Sequence, residues 1–181
     1  MQVITRNFGD RALSKHLRHA ARFYARELMS KRLCDKLSLE IICKKNDAGF
    51  PESGVAEWTD QVPHPKSFRI TIGKIPSKHW SEYFKILAHE IVHVKQYARS
   101  EMTSLVTMME GNMMSQSWHG SRYNLSSARK PKVNPARKKS LITELSGSDY
   151  YYHPWEVEAF GLEVGLFQYY REECTDNPWV M

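Results

Sequence analysis

The feature that most restricts this chain is a helical stretch with two histidines built into its apolar pattern. Between residues 78 and 100, Trp80, Phe84, Leu87, Ala88, Ile91, Val92 and Tyr97 recur at the three- and four-residue spacing of a helix with a buried face. Ser77 or Ser81 stands where an N-cap is expected. Inside this stretch, residues 88–94 read Ala88-His89-Glu90-Ile91-Val92-His93-Val94. His89 and His93 are four apart, so a helix sets both imidazoles on one face, one turn above the other. Two imidazoles so placed can share one Zn²⁺ at about 2.0–2.1 Å. Glu90 lies about 100° further round the axis. From there it can act as a general base toward a metal-activated water without being a ligand. The plain alternative is a histidine pair packed with no metal.

The rest of the chain sets the frame. A length of 181 residues implies one domain, and 41% hydrophobic with 12% aromatic residues excludes wholesale disorder. No apolar run approaches the roughly 18 residues of a membrane span, and the opening residues lack the apolar core of a secretory signal. Cys34, Cys43 and Cys174 are scattered and form no CxxC, which fits neither a disulfide framework nor a cysteine zinc site. A cytoplasmic, reducing setting is expected. Net charge is +6, unevenly spread: Gly111 to Thr143 holds seven basic residues and no acidic one, whereas Glu144 to Met181 holds eight acidic and one basic. Such asymmetry is read either as a solvated basic face or as a contact for an anionic partner.

Residues 11–33 are expected to form an amphipathic helix on Leu13, Leu17, Ala20, Ala21, Tyr24 and Leu28, with Asp10 as its N-cap. Leu37, Leu39, Ile41 and Cys43 alternate as in a half-buried strand, and Phe68, Ile70 and Ile72 do the same. Residues 46–51 are turn chemistry, and Val55 to Thr59 a short strand. Met102, Met108, Met109, Met113 and Met114 read as packing residues at helical spacing. Residues 115–140 read as a basic loop, with a short strand near Trp118-His119-Gly120. A last helix is expected from Pro154 to about Tyr170. The order of elements is α+β.

A catalytic zinc needs a third protein ligand beside an open position. At about 100° per residue from Trp155, Glu156 and Glu163 fall within the apolar arc of the last helix, and Glu158 falls beside Gly161 and Gly165. A carboxylate in an apolar arc is costly unless paired or metal-bound, which favours Glu156 or Glu163 over Glu158. His119 is the rival. Tyr150, Tyr151, Tyr152 and His153, just before the helix, are candidates to stabilise an oxyanion or simply to anchor the loop.

The segment LAHEIVHVKQYARSEM, followed by YYHPWEVEAFGLEVGLF, resembles small phage and bacterial HExxH zinc metallopeptidase-like proteins, akin to minimal gluzincins. That resemblance covers roughly residues 67–170 in element order and is specific only at the two motif helices. It implies a zincin-like fold, with a small twisted sheet on the HExxH helix. It also implies His89, His93 and Glu156 as metal ligands, Glu90 as base, Zn²⁺ as cofactor and a peptide or protein substrate. Phe160 stands where gluzincins carry an aspartate. The His119-Gly120 segment is also similar to the third-ligand segment of SprT-like proteases, which act on protein crosslinked to DNA. A further reading is a nucleic-acid-binding module with a structural zinc, held through the basic residues Arg129, Lys130, Lys132, Arg137, Lys138 and Lys139. The chain is thus expected to be a single α+β metallopeptidase domain over 1–181, with a basic loop at about 115–140.

Overall fold

The computed structural model describes residues 1–44, 54–60, 64–75, 79–105, 114–126, 142–146 and 151–174. The architecture is α+β. Strands β1 (Gln2–Arg6), β2 (Ser38–Lys44), β3 (Gly54–Trp58) and β4 (Ser67–Gly73) form one sheet in the order β1-β2-β4-β3. The first three in that order run parallel, and β3 lies antiparallel to β4 at the edge. The period-two pattern decides which face is buried. In register, Val3, Leu39 and Phe68 share one face with Ile41, Ile70, Cys43 and Ile72, and all are buried. The other face carries Glu40, clasped by Arg6 and Arg69. Strand β1 was not expected: five residues with one buried valine give too short a pattern to recognise.

Helix α1 (Arg11–Leu28) joins β1 to β2 and covers the apolar face with the six residues Leu13, Leu17, Ala20, Ala21, Tyr24 and Ala25. Asp10 caps it as expected, its Oδ1 accepting the Leu13 N–H at 2.8 Å. The helix is shorter than the expected 11–33. Met29 is extended, and Ser30 starts a separate turn, α2 (Lys31–Cys34), by accepting the Leu33 N–H at 3.3 Å. A serine hydroxyl that competes for backbone N–H groups breaks the helix there.

Helix α3 (Ser81–Ala98) carries the two histidines and packs on α1, β3 and β4. Trp80 occupies its N-cap without a side-chain bond, Ser81 is already helical, and Ser77 lies outside the described residues. From Ile91 to Gln96 every residue is buried, because helix, sheet and a second sheet close around that end. Helix α4 (Pro154–Glu173) begins on Pro154 as expected and runs three residues past Tyr170. It packs along α3 and touches α1. Tyr170 is fully buried at that junction, with ring centroids 5.8 Å from Phe84, 5.5 Å from Tyr24 and 5.4 Å from Phe23. Each such ring pair adds about 0.5–1.5 kcal/mol beyond area burial.

The expected loop at 115–140 is corrected in its first part. A second sheet runs in the order β5 (Met102–Leu105), β6 (Met114–Trp118), β7 (Ser121–Ser126) and β8 (Ile142–Ser146). Met102 and Met114 therefore open strands; Met108, Met109 and Met113 lie outside the described residues. His119 and Gly120 have positive φ of 45° and 82° and form the two-residue turn between β6 and β7. Two left-handed residues match the twist of a hairpin, and glycine enters that region without steric cost. Serine, asparagine and glutamine fill these strands, so no apolar alternation marks them. The turn at 46–51, the basic residues from Arg129 to Lys139, and Tyr150 also lie outside the described residues. Among the described residues no helix is long and apolar enough to cross a membrane.

Candidate metal centre

The packing of α4 on α3 brings together side chains far apart in the chain. His89, His93 and Glu156 form a group whose ligand atoms all lie within 4.8 Å of one another, the single such group of three among the described residues. His89 Nε2 is 3.3 Å from Glu156 Oε2, His93 Nε2 is 3.6 Å from Glu156 Oε1, and the two Nε2 atoms are 3.2 Å apart. Ligands at about 2.0–2.1 Å around a tetrahedral cation are separated by about 3.3–3.4 Å. The three distances, two of them to different Glu156 oxygens, lie near that edge, which is compatible with one cation shared by the three residues.

The outward ring nitrogens explain why the inward ones are free to ligate. His89 Nδ1 lies 2.8 Å from Glu163 Oε2, an acceptor when ionised. His93 Nδ1 lies 2.8 Å from Gln96 Oε1. That amide has only one workable orientation, because Gln96 Nε2 donates to the Trp155 carbonyl and to Glu158 Oε2, both at 2.9 Å. With a metal bound, each histidine would donate from Nδ1 and turn a bare Nε2 toward the other donors. Three donor atoms this close together are compatible with a shared cation, or with shared protons when none is bound. With protein charges alone, burial lowers the His89 pKa, but Glu156 and Glu163 more than reverse this and raise it to about 9. His93 moves the same way, burial being outweighed by Glu156 and Glu90. A metal would displace these protons.

Glu90 takes the adjoining face of α3. It is 4% exposed and packs against Gly54 of edge strand β3. Burial raises its carboxyl pKa first, with His93 and His89 opposing and Glu156 reinforcing. Gly54 makes the fit possible. A Cβ there would sit 2.6 Å from Glu90 Cγ, 2.7 Å from its Oε1 and 2.7 Å from Ile86 Cγ2. Gly54→Ala is therefore expected to cost about 1–3 kcal/mol by overpacking, read as a lower denaturation midpoint with an unchanged slope.

Of the residues singled out from sequence, the structure brings together His89, His93 and Glu156, with Glu90 alongside. Glu163 holds the back of His89 and is not one of the three. Glu158 is half-buried and bonds Lys95 and Gln96, since α3 continues past His93 far enough to meet it. His119 sits exposed at the hairpin turn, outside the group of three. Tyr151 and Tyr152 are 66% and 78% exposed, while His153 is buried and forms the N-cap position of α4. Sequence reading missed Gln96 and Gly54. The Gln96 signal was its position three residues after His93, on the same helix face; nothing local marked Gly54. Compared with known proteins, the chain matches no family model, no curated protein and no solved structure.

Proposed function

We propose that the chain is a zinc-dependent peptide hydrolase of zincin-like design. The observation that carries this reading is the pairing of a three-donor face (His89, His93, Glu156) with a buried carboxylate, Glu90, one residue from the first donor. Two imidazoles and one carboxylate suit zinc, with a fourth position left for water or substrate. Bound there, zinc would supply Lewis acidity and a water of lowered pKa. The protein's own groups do the rest. Glu163, behind His89, would keep that histidine in the ligating tautomer. Glu90, a buried carboxyl beside the donors whose pKa burial raises, is suited to take a proton from water and pass it to the leaving amine. Peptide is favoured as substrate because β3 is a sheet edge beside Glu90, and an extended segment can add to such an edge through backbone bonds.

The test is a cleavage assay on an unfolded protein substrate. Cleavage is expected with the zinc-loaded chain, loss on stripping with a chelator, and recovery on adding one equivalent of Zn²⁺. Fragments that persist in the chelated, metal-free sample count against the reading.

A further inference from the structure

Beyond the three donors, α3 carries a buried polar assembly centred on Gln96. Gln96 is fully buried. It faces three partners at once: His93 Nδ1 at 2.8 Å, the Trp155 carbonyl at 2.9 Å and Glu158 Oε2 at 2.9 Å. Glu158 is itself held by Lys95, whose Nζ lies 2.6 Å from Glu158 Oε1 and 2.7 Å from Glu101 Oε2. Glu101 is fixed in turn by Arg99 at 2.8 Å and by its backbone N–H, which donates to the Gln96 carbonyl. Lys95 is 7% exposed, a buried cation between two carboxylates. A lysine is rarely buried in this way unless paired. The assembly ties α3 to the first turns of α4 and to the residue just before β5.

We propose that Gln96 is a positioning residue for the metal, setting the His93 tautomer, and that the Lys95–Glu158 pair holds its amide the one way round that does so. A carbonyl and a carboxylate can only accept, so both must meet the Gln96 NH₂. Its Oε1 is then left to accept from His93 Nδ1–H. Were the amide reversed, its NH₂ would face His93 and favour the tautomer with the proton on Nε2, which cannot ligate. Glu156 and Glu158 lie two residues apart near the start of one helix, so the same docking of α4 that delivers the third donor also sets the amide. The inference rests on the metal reading and does not depend on hydrolysis.

The test measures Zn²⁺ affinity by chelator competition for wild type, Gln96→Met, Glu158→Gln and the double variant, with ¹⁵N NMR of the histidine rings. Gln96→Met, similar in volume but without the hydrogen bonds, is expected to weaken zinc by about 10–100-fold, the usual effect of losing a partner behind a metal-bound histidine. Glu158→Gln should weaken it less. In the double variant the two losses should fail to add, because Glu158 acts through Gln96. In the zinc-loaded wild type, the His93 proton is expected on Nδ1. A purely structural role would lower the melting temperature of Gln96→Met but leave the zinc affinity of its folded form within about twofold, and that result overturns the proposal. If Gln96→Met does not fold, the wild-type spectrum decides, and a His93 proton on Nε2 overturns it. Zinc binding without peptide cleavage overturns the hydrolase reading alone; no zinc binding by the wild type overturns both.

Discussion

Glu90→Gln is expected to keep its metal and to lose peptide hydrolysis by about 10²–10⁴-fold, the usual contribution of a positioned general base. The amide matches the carboxylate in shape and can keep the close packing that Glu90 makes against Gly54. The packing against Gly54 is therefore kept and the fold should hold. What the amide cannot do is take a proton. Because Glu90 is not one of the three grouped donors, the metal content of the variant should equal that of wild type. Turnover and metal stoichiometry, measured on the same sample, check both halves. Turnover within about threefold of wild type counts against Glu90 as the base. Loss of metal in this variant counts against its placement outside the donor set.

The second large effect is on the metal. Glu156→Ala is expected to weaken Zn²⁺ binding by about 10²–10³-fold, since about 10–16 kcal/mol for a four-ligand zinc site is about 2.5–4 kcal/mol per ligand. Glu156 is 3% exposed and approaches both histidines, so its loss opens one corner of the donor face and leaves two imidazoles 3.2 Å apart with no carboxylate between them. His93→Ala should behave alike. His119→Ala, at the hairpin turn, should leave the affinity unchanged. Chelator competition measures all three, and metal loss in His119→Ala with retention in Glu156→Ala would reassign the third ligand.

Much of this site was legible before any coordinates, for a physical reason. His89, Glu90 and His93 lie within five residues of one helix, so helical geometry alone fixes their relation. Glu156 was legible because a carboxylate in an apolar arc demands a partner. The arc could not decide between Glu156 and Glu163: both face α3, and the choice depends on which turn of α4 meets which turn of α3. Tertiary packing sets Glu156 against the inward nitrogens and Glu163 against the outward nitrogen of His89. Glu158 was read as the glycine-side residue because the helical arc takes no account of how far α3 extends beyond His93. The second sheet escaped for a different reason. Its strands carry polar side chains, so the period-two signal that marked β2 and β4 is missing. Gly54 escaped because its importance lies in a contact with Glu90, 36 positions later in the chain.

The spacing of the donors also orders events in time. His89 and His93 leave the ribosome more than sixty residues before Glu156, and Gln96 precedes by a similar interval the Trp155 carbonyl and Glu158 that orient it. During synthesis the nascent polypeptide therefore presents the two-histidine half-site early and cannot close it until the C-terminal helix has emerged and docked. If the proposed hydrolytic chemistry holds, it would wait for that docking, by which time the sheet and the helices before it have emerged.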